Sequence, residues 1–310
     1  MRILLFVLAT GVLAGCAATA AAPGALVPEF TPVALPDYDS DRGIQWAASR
    51  ADFDAARADA RYEMLQFTYP SDGLTLGAYL YRARAAPAHK LPVIVFNRGS
   101  FVRPNGFAGE MLVMAHRYAE AGFLVVAPHY RGSNGWAGKD ELGGADLHDL
   151  MNLAPELKRI PGADTARVFL AGESRGGAMV YMALRDGFPA RAAAVWGAFT
   201  DLEPLTAAGG PQAKAAGFVW PDFEQRRAEI IRTRSALYWA ERIGAPVLIM
   251  HGGADQDIPP EQSRRLDAEL TRLGRPHELR VFDGEQHVIG GQGAQRDAAA
   301  IGWFRRFGAD

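Results

Sequence analysis

Cysteine occurs once in these 310 residues, at Cys16, which excludes an intramolecular disulfide and any site built from several thiolates. Excess charge is also missing. The formal net charge is −2 at pH 7, without a basic run or a base-stacking motif, which argues against a general nucleic-acid partner. There is no HExxH pair and no His/Cys cluster, so neither a metal-dependent hydrolase nor a cofactor is expected. No internal repeat divides the chain, and its first apolar run, Ile3 to Leu13, is too short to span a bilayer comfortably.

What is present is core-forming material. With 49% hydrophobic and 22% charged residues, the chain can bury a substantial interior. The run Ile3 to Leu13 follows Arg2 and has the shape of a secretory signal. The junction Leu13-Ala14-Gly15-Cys16 resembles the lipobox of bacterial lipoproteins, in which the signal is cleaved before the cysteine and the thiol is lipidated. An ordinary signal cleaved near Ala22 is the alternative. Ala17 resembles the residue that permits outer-membrane sorting, so the expected location is the outer membrane, facing the periplasm. The expected divisions are a signal at 1–15, a tether and N-terminal segment at 16–61, and a catalytic domain at 62–310. Asp39 to Ala60, polar and Ala-rich, is expected to lay a short helix on the surface.

From Tyr62 the pattern becomes regular. Tyr62 to Tyr69 and Leu74 to Tyr81 read as a hairpin turned at Pro70-Ser71-Asp72-Gly73. Short apolar runs then alternate with helical periodicity: strands at Leu91–Phe96, Phe123–Ala127, Val168–Ala171, Ala192–Trp196, Pro246–Met250 and Glu278–Phe282. Helices are expected at 109–121, 144–157, 177–185, 261–273 and 294–307. Between 204 and 235, Pro204, Gly209, Gly210, Pro211 and Pro221 interrupt the rhythm. Strands apolar on both faces, alternating with helices, imply one α/β domain with a mainly parallel sheet covered on both sides.

The chain centres on Gly172-Glu173-Ser174-Arg175-Gly176-Gly177, where a strand stops and a helix begins. A GxSxG would arise by chance roughly 0.1 times in a chain of this composition, so its context carries the argument. Strand before, helix after and glycines on either side are what an exposed nucleophilic serine on a sharp turn requires. A serine hydroxyl needs a base, and the base needs an acid to fix its tautomer. In an open parallel sheet these should follow strands at their carboxyl ends. Asp255 and His287 do, with Asp257 and His129 as rivals. His251 begins the acid-bearing loop and is read as bracing it.

Taken together these residues resemble the catalytic domain of the prolyl oligopeptidase family of α/β-hydrolases. The resemblance rests on Pro128 to Gly135, Gly172 to Gly177, His251 to Ser263 and Gly284 to His287, with a similar lead-in at Ser235 to Pro246. It covers roughly residues 62 to 307. It implies the α/β-hydrolase fold and a serine hydrolase acting on an ester or a short peptide, with Ser174 as nucleophile, His287 as base and Asp255 as acid. The order Ser, Asp, His agrees. The first oxyanion donor is the Arg175 N–H, and the second is either the Arg98 N–H or the Asn97 amide. The Arg175 side chain is expected to reach a substrate carboxylate, Glu173 or solvent.

Two departures bear on substrate. The stretch between Cys16 and the hydrolase domain is too short for the family's β-propeller. The loop Asn97-Arg98-Gly99-Ser100 lacks the family's oxyanion tyrosine. Peptidase and carboxylesterase are both open, beside a hydrolase-like lipoprotein that only binds. Residues 204–235, with Phe218, Trp220 and Phe223, either cover the acyl pocket or pack down as a surface excursion.

Overall fold

The computed structural model describes residues 27–100, 106–207 and 213–309. The signal and lipobox with Cys16 lie outside the described residues. The described chain opens with a two-residue strand β1 (Thr31–Pro32) and the short helices α1 (Arg42–Ala47) and α2 (Arg50–Ala58). The expected single surface helix at 39–60 is thus two helices, each started by a side-chain cap: Asp41 accepts from the Gly43 N–H and Ser49 from the Asp52 N–H. They are not merely laid on the surface, because Ile44 and Phe53 are fully buried.

The hairpin follows as β2 (Tyr62–Ser71) and β3 (Leu74–Ala83), paired from Tyr62↔Ala83 to Ser71↔Leu74. Asp72 and Gly73, with φ of 47° and 79°, supply the two left-handed residues of a tight hairpin turn. Next come β4 (Leu91–Asn97), α3 (Ala108–Glu120), β5 (Leu124–Pro128) and α4 (Leu147–Leu153). A 3-10 segment at Ala154–Arg159 replaces the end of the long helix expected at 144–157, since Pro155 cannot continue the α-helical ladder. Then β6 (Ala163–Glu173), α5 (Arg175–Arg185) and β7 (Ala193–Trp196) form the centre. The segment expected to be irregular instead holds α6 (Leu202–Thr206), α7 (Ala213–Val219) and α8 (Phe223–Arg234). The chain ends with β8 (Val247–Gly252), α9 (Glu261–Arg272), β9 (His277–Phe282) and α10 (Gly293–Phe304).

The strands form one nine-stranded sheet in the order β1-β2-β3-β5-β4-β6-β7-β8-β9. The first three and the β3–β5 junction are antiparallel, and from β5 onward neighbours are parallel. Side-chain alternation divides each central strand between two cores. Val93, Val95, Val168, Leu170, Val195, Val247 and Ile249 face one; Ile94, Phe96, Phe169, Ala171, Trp196, Leu248 and Met250 face the other. Helices α4, α5 and α9 contribute to the first core, α1, α2, α3 and α10 to the second. This is the α/β-hydrolase fold, with an N-terminal hairpin at one edge.

Candidate active site

Ser174 sits between β6 and α5 with φ 52° and ψ −120°, a left-side conformation that costs a non-glycine residue free energy. The turn is held closed around it. The Ser174 N–H donates to the Trp196 carbonyl at 2.8 Å, and its own carbonyl accepts from the Gly177 and Ala178 N–H groups. The flanking glycines are steric necessities. A Cβ on Gly176 would lie 1.9 Å from the Asn97 oxygen, and one on Gly172 would lie 2.5 Å from the Gly176 oxygen. Arg175 is the first residue of α5, so its N–H has no partner within the helix and points out of the helix start beside the serine.

The structure brings Ser174, His287 and Asp255 together. His287 Nε2 lies 2.8 Å from Ser174 Oγ, and His287 Nδ1 lies 2.7 Å from Asp255 Oδ2. The second carboxylate oxygen, Oδ1, accepts from the Asp257 and Ile258 N–H groups at 2.9 Å each. The loops after β8 and β9 are joined: the Gly253 N–H donates to the Phe282 oxygen and the Ala254 N–H to the Glu285 oxygen. Glycine again permits the approach, since a Cβ on Gly252 would meet the Gln286 oxygen at 2.2 Å. Burial opposes the charge on Asp255, but hydrogen bonds from His251 and His287 outweigh it and hold the carboxyl well below its usual range. Burial likewise opposes a charged His287, but the hydrogen bond and negative charge of Asp255, with Glu173 and Asp257 nearby, raise its pKa.

Of the two candidates for a second oxyanion donor, the Asn97 side chain is already engaged. Its Nδ2 donates to the Val95 and Ala171 carbonyls at 3.2 Å each and its Oδ1 accepts from the Tyr130 hydroxyl, all within the buried sheet. The carboxamide thus ties strands together and is not free to meet a substrate. Arg98 follows it directly, its guanidinium folded back to the Gly99 and Ser100 carbonyls and to Ser133 Oγ, so that it braces the loop beside the elbow. The Arg175 side chain also differs from expectation. It turns inward, 2.6 Å from both Asp140 and Asp146 and 4.1 Å above the Tyr130 ring, and reaches neither solvent nor Glu173. His129 is buried among Tyr79, Phe107 and Trp136, where desolvation and the Arg98 charge push its pKa down to about 3. It lies away from Ser174's hydrogen-bond chain.

The serine opens on a cavity of about 700 Å³. One wall is apolar, from Leu142, Phe199, Leu205, Val219, Trp220 and Ile258; Glu173, Asp257 and Glu285 give it an acidic side. Trp220 donates its indole N–H to the Glu141 carbonyl and stacks on Phe223, whereas Phe218 is 78% exposed and faces away. Segment 204–235 therefore does contribute cavity wall, through Leu205, Thr206, Ala216, Val219 and Trp220. Gln45 and Trp46 of α1 also line it, which nothing in their local sequence signals, because the contact is made across more than a hundred residues. Among the described residues, Asp59, His116 and Glu120 also cluster, but Arg61 bridges the two carboxylates. In the other cluster of potential ligands, Asp255, Asp257 and His287, the first and last are already bound to each other.

The sequence pattern described as "Prolyl oligopeptidase family" matches residues 107–307, which span α3 to α10 and all three hydrogen-bonded residues. The chain belongs to the prolyl oligopeptidase family. Among curated proteins it is 29% identical over 174 residues to the uncharacterized peptidase YtmA of Bacillus subtilis, covering 56% of this chain and 68% of that one. It is 26% identical over 243 residues to a putative carboxymethylenebutenolidase of Salmonella typhimurium, covering 76% and 82%. Among solved structures, the Mycobacterium tuberculosis puromycin-hydrolyzing peptidase superposes with a TM-score of 0.65 at 25% identity, over 77% of this chain and 39% of that one. The Pyrococcus horikoshii acylaminoacyl peptidase does so with a TM-score of 0.65 at 25% identity, over 81% and 42%. The chain thus spans about two fifths of the length of these solved peptidases.

Proposed function

We propose that this chain is a serine hydrolase that cleaves an amide or ester bond through an acyl-enzyme intermediate. The observation that carries the reading is the unbroken hydrogen-bond chain Ser174–His287–Asp255 at the edge of an open cavity. Ser174 Oγ attacks the carbonyl carbon while His287 Nε2 takes its proton and later delivers it to the leaving group. Asp255 keeps the second ring proton on Nδ1 and stabilises the imidazolium. The Arg175 N–H and the Arg98 N–H receive the oxyanion; loss of one such donor typically costs about 10²–10³ in kcat. A fluorophosphonate probe should label the wild type and spare Ser174→Ala, and equal labelling of both would refute the nucleophile.

Family membership favours a peptidase acting on short peptides or aminoacyl amides. A carboxylesterase is the second reading, supported by the Salmonella relative, whose length this chain covers more fully than that of the peptidases. Comparing turnover of p-nitrophenyl acyl esters with that of aminoacyl and dipeptidyl amides separates the two. On the sequence of residues 1–17, we also propose lipidation at Cys16 and an outer-membrane anchor facing the periplasm. Palmitate incorporation that persists in Cys16→Ser would sink that proposal.

A further inference from the structure

We infer that His251 and Ser263 extend the hydrogen-bond chain behind Asp255 and position its carboxylate, an inference that rests on the serine-hydrolase reading above. His251 lies at the carboxyl end of β8 and Ser263 in the first turn of α9, both buried. The ring bridges them to the acid. Nδ1 is 2.6 Å from Ser263 Oγ, and Nε2 is 2.8 Å from the Ile258 carbonyl and 3.1 Å from Asp255 Oδ2. Two acceptors face Nε2, so the ring proton sits there. Nδ1 is then an acceptor, and the Ser263 hydroxyl donates to it.

This arrangement does something the two backbone donors do not. The Asp257 and Ile258 N–H groups hold only Oδ1, which leaves the carboxylate free to pivot about that oxygen. His251 fixes Oδ2, the oxygen that His287 also uses. It therefore sets the angle from which the acid meets the base. His251 touches neither Ser174 nor the cavity and is a positioning residue. The charged groups that face His287 are Asp255, Glu173 and Asp257. Removing the His251 donor leaves Oδ2 more basic. The protonated form of His287 is then held more tightly, and the acid limb of kcat/KM moves to higher pH.

The test uses the full chain with a p-nitrophenyl ester, and fluorophosphonate labelling of the wild type as an independent check on Ser174. His251→Leu should lower kcat about 10-fold, with KM within about 2-fold, and move the acid limb up by about 0.5–1 pH unit. His251→Gln, which keeps an N–H near the Nε2 position, should bring the limb back. Ser263→Ala, a small change within a helix, should move it part of the way. A folded His251→Leu with a lower plateau and an unmoved limb would overturn the inference, as would failure of His251→Gln to restore it. If His251→Leu does not fold, an unmoved limb in Ser263→Ala overturns it equally. An unlabelled wild type would overturn the serine-hydrolase reading itself, whereas a labelled wild type with unmoved limbs overturns only this inference.

Discussion

Asp255 and His287 are held in opposite directions by the same hydrogen bond, and the consequence can be read in pH. In the proposed mechanism His287 works only when neutral, and its pKa is raised, so the acid limb of kcat/KM is expected above the ordinary imidazole value of about 6.5. A pH profile with the limb below that value would contradict it. Asp255→Asn keeps the shape but removes the charge that selects the Nδ1–H tautomer. A fall in kcat of about 10³–10⁴ is expected, with little change in KM. At this scale the sequence was informative about which side chains the fold brings together and poor about where others point. Ser174, Asp255 and His287 were legible because each follows a strand. The inward turn of Arg175 was not, since its partners Asp140 and Asp146 lie 35 and 29 residues upstream, and nothing in the local pattern of either stretch says which side chain it meets. For the same reason Asn97 read as an oxyanion candidate, while in the fold it joins β4 to β6 through the Ala171 carbonyl.

The elbow shows how an element can depend on one missing atom. A methyl group at Gly176 would have to share space with the Asn97 and Arg98 carbonyls, which are backbone and cannot swing aside. Gly176→Ala is expected to cost roughly 3 kcal/mol or more, read from the denaturation midpoint, with loss of probe labelling in whatever folds. Gly73→Ala is a useful contrast, because the hairpin glycine has φ +79° but nothing within 4 Å. Only the left-handed penalty of about 1 kcal/mol is expected there, with labelling intact. The central strands were readable from sequence because they are buried on both faces and are apolar throughout. The helices between 202 and 234 were not. Two of them have five and seven residues, too short to hold by propensity, and α8 carries only Phe223, Ile230 and Ile231 as large apolar residues. Their helicity comes from burying Leu202, Leu205, Ala216, Val219, Phe223, Ile230 and Ile231 in the first core, beside Trp220 and Trp239.

Across the whole molecule, the cavity is assembled from pieces distant in sequence: α1, the loop before α4, the elbow, the helices α6 to α7 and both loops of the acid and the base. Trp220 ties two of these together through its bond to Glu141, and Arg234 lies 5.4 Å over its ring. Trp220→Ala should therefore raise KM for bulky apolar acyl esters about 10-fold while kcat for a small acetyl ester stays within a few-fold. Equal losses on both substrates would mean that the tryptophan supports the elbow and not the acyl wall. Trp46, which also lines the cavity, is 63% exposed, and a Cβ on Gly290 would lie 2.0 Å from its carbonyl oxygen. The first helix and the turn that follows His287 are thus backed against each other with no room for a side chain between them. One jamb of the opening is supplied by α1, far in sequence from the turn it backs. Tension or a proteolytic nick there would alter what gets in while leaving the chemistry of the serine untouched.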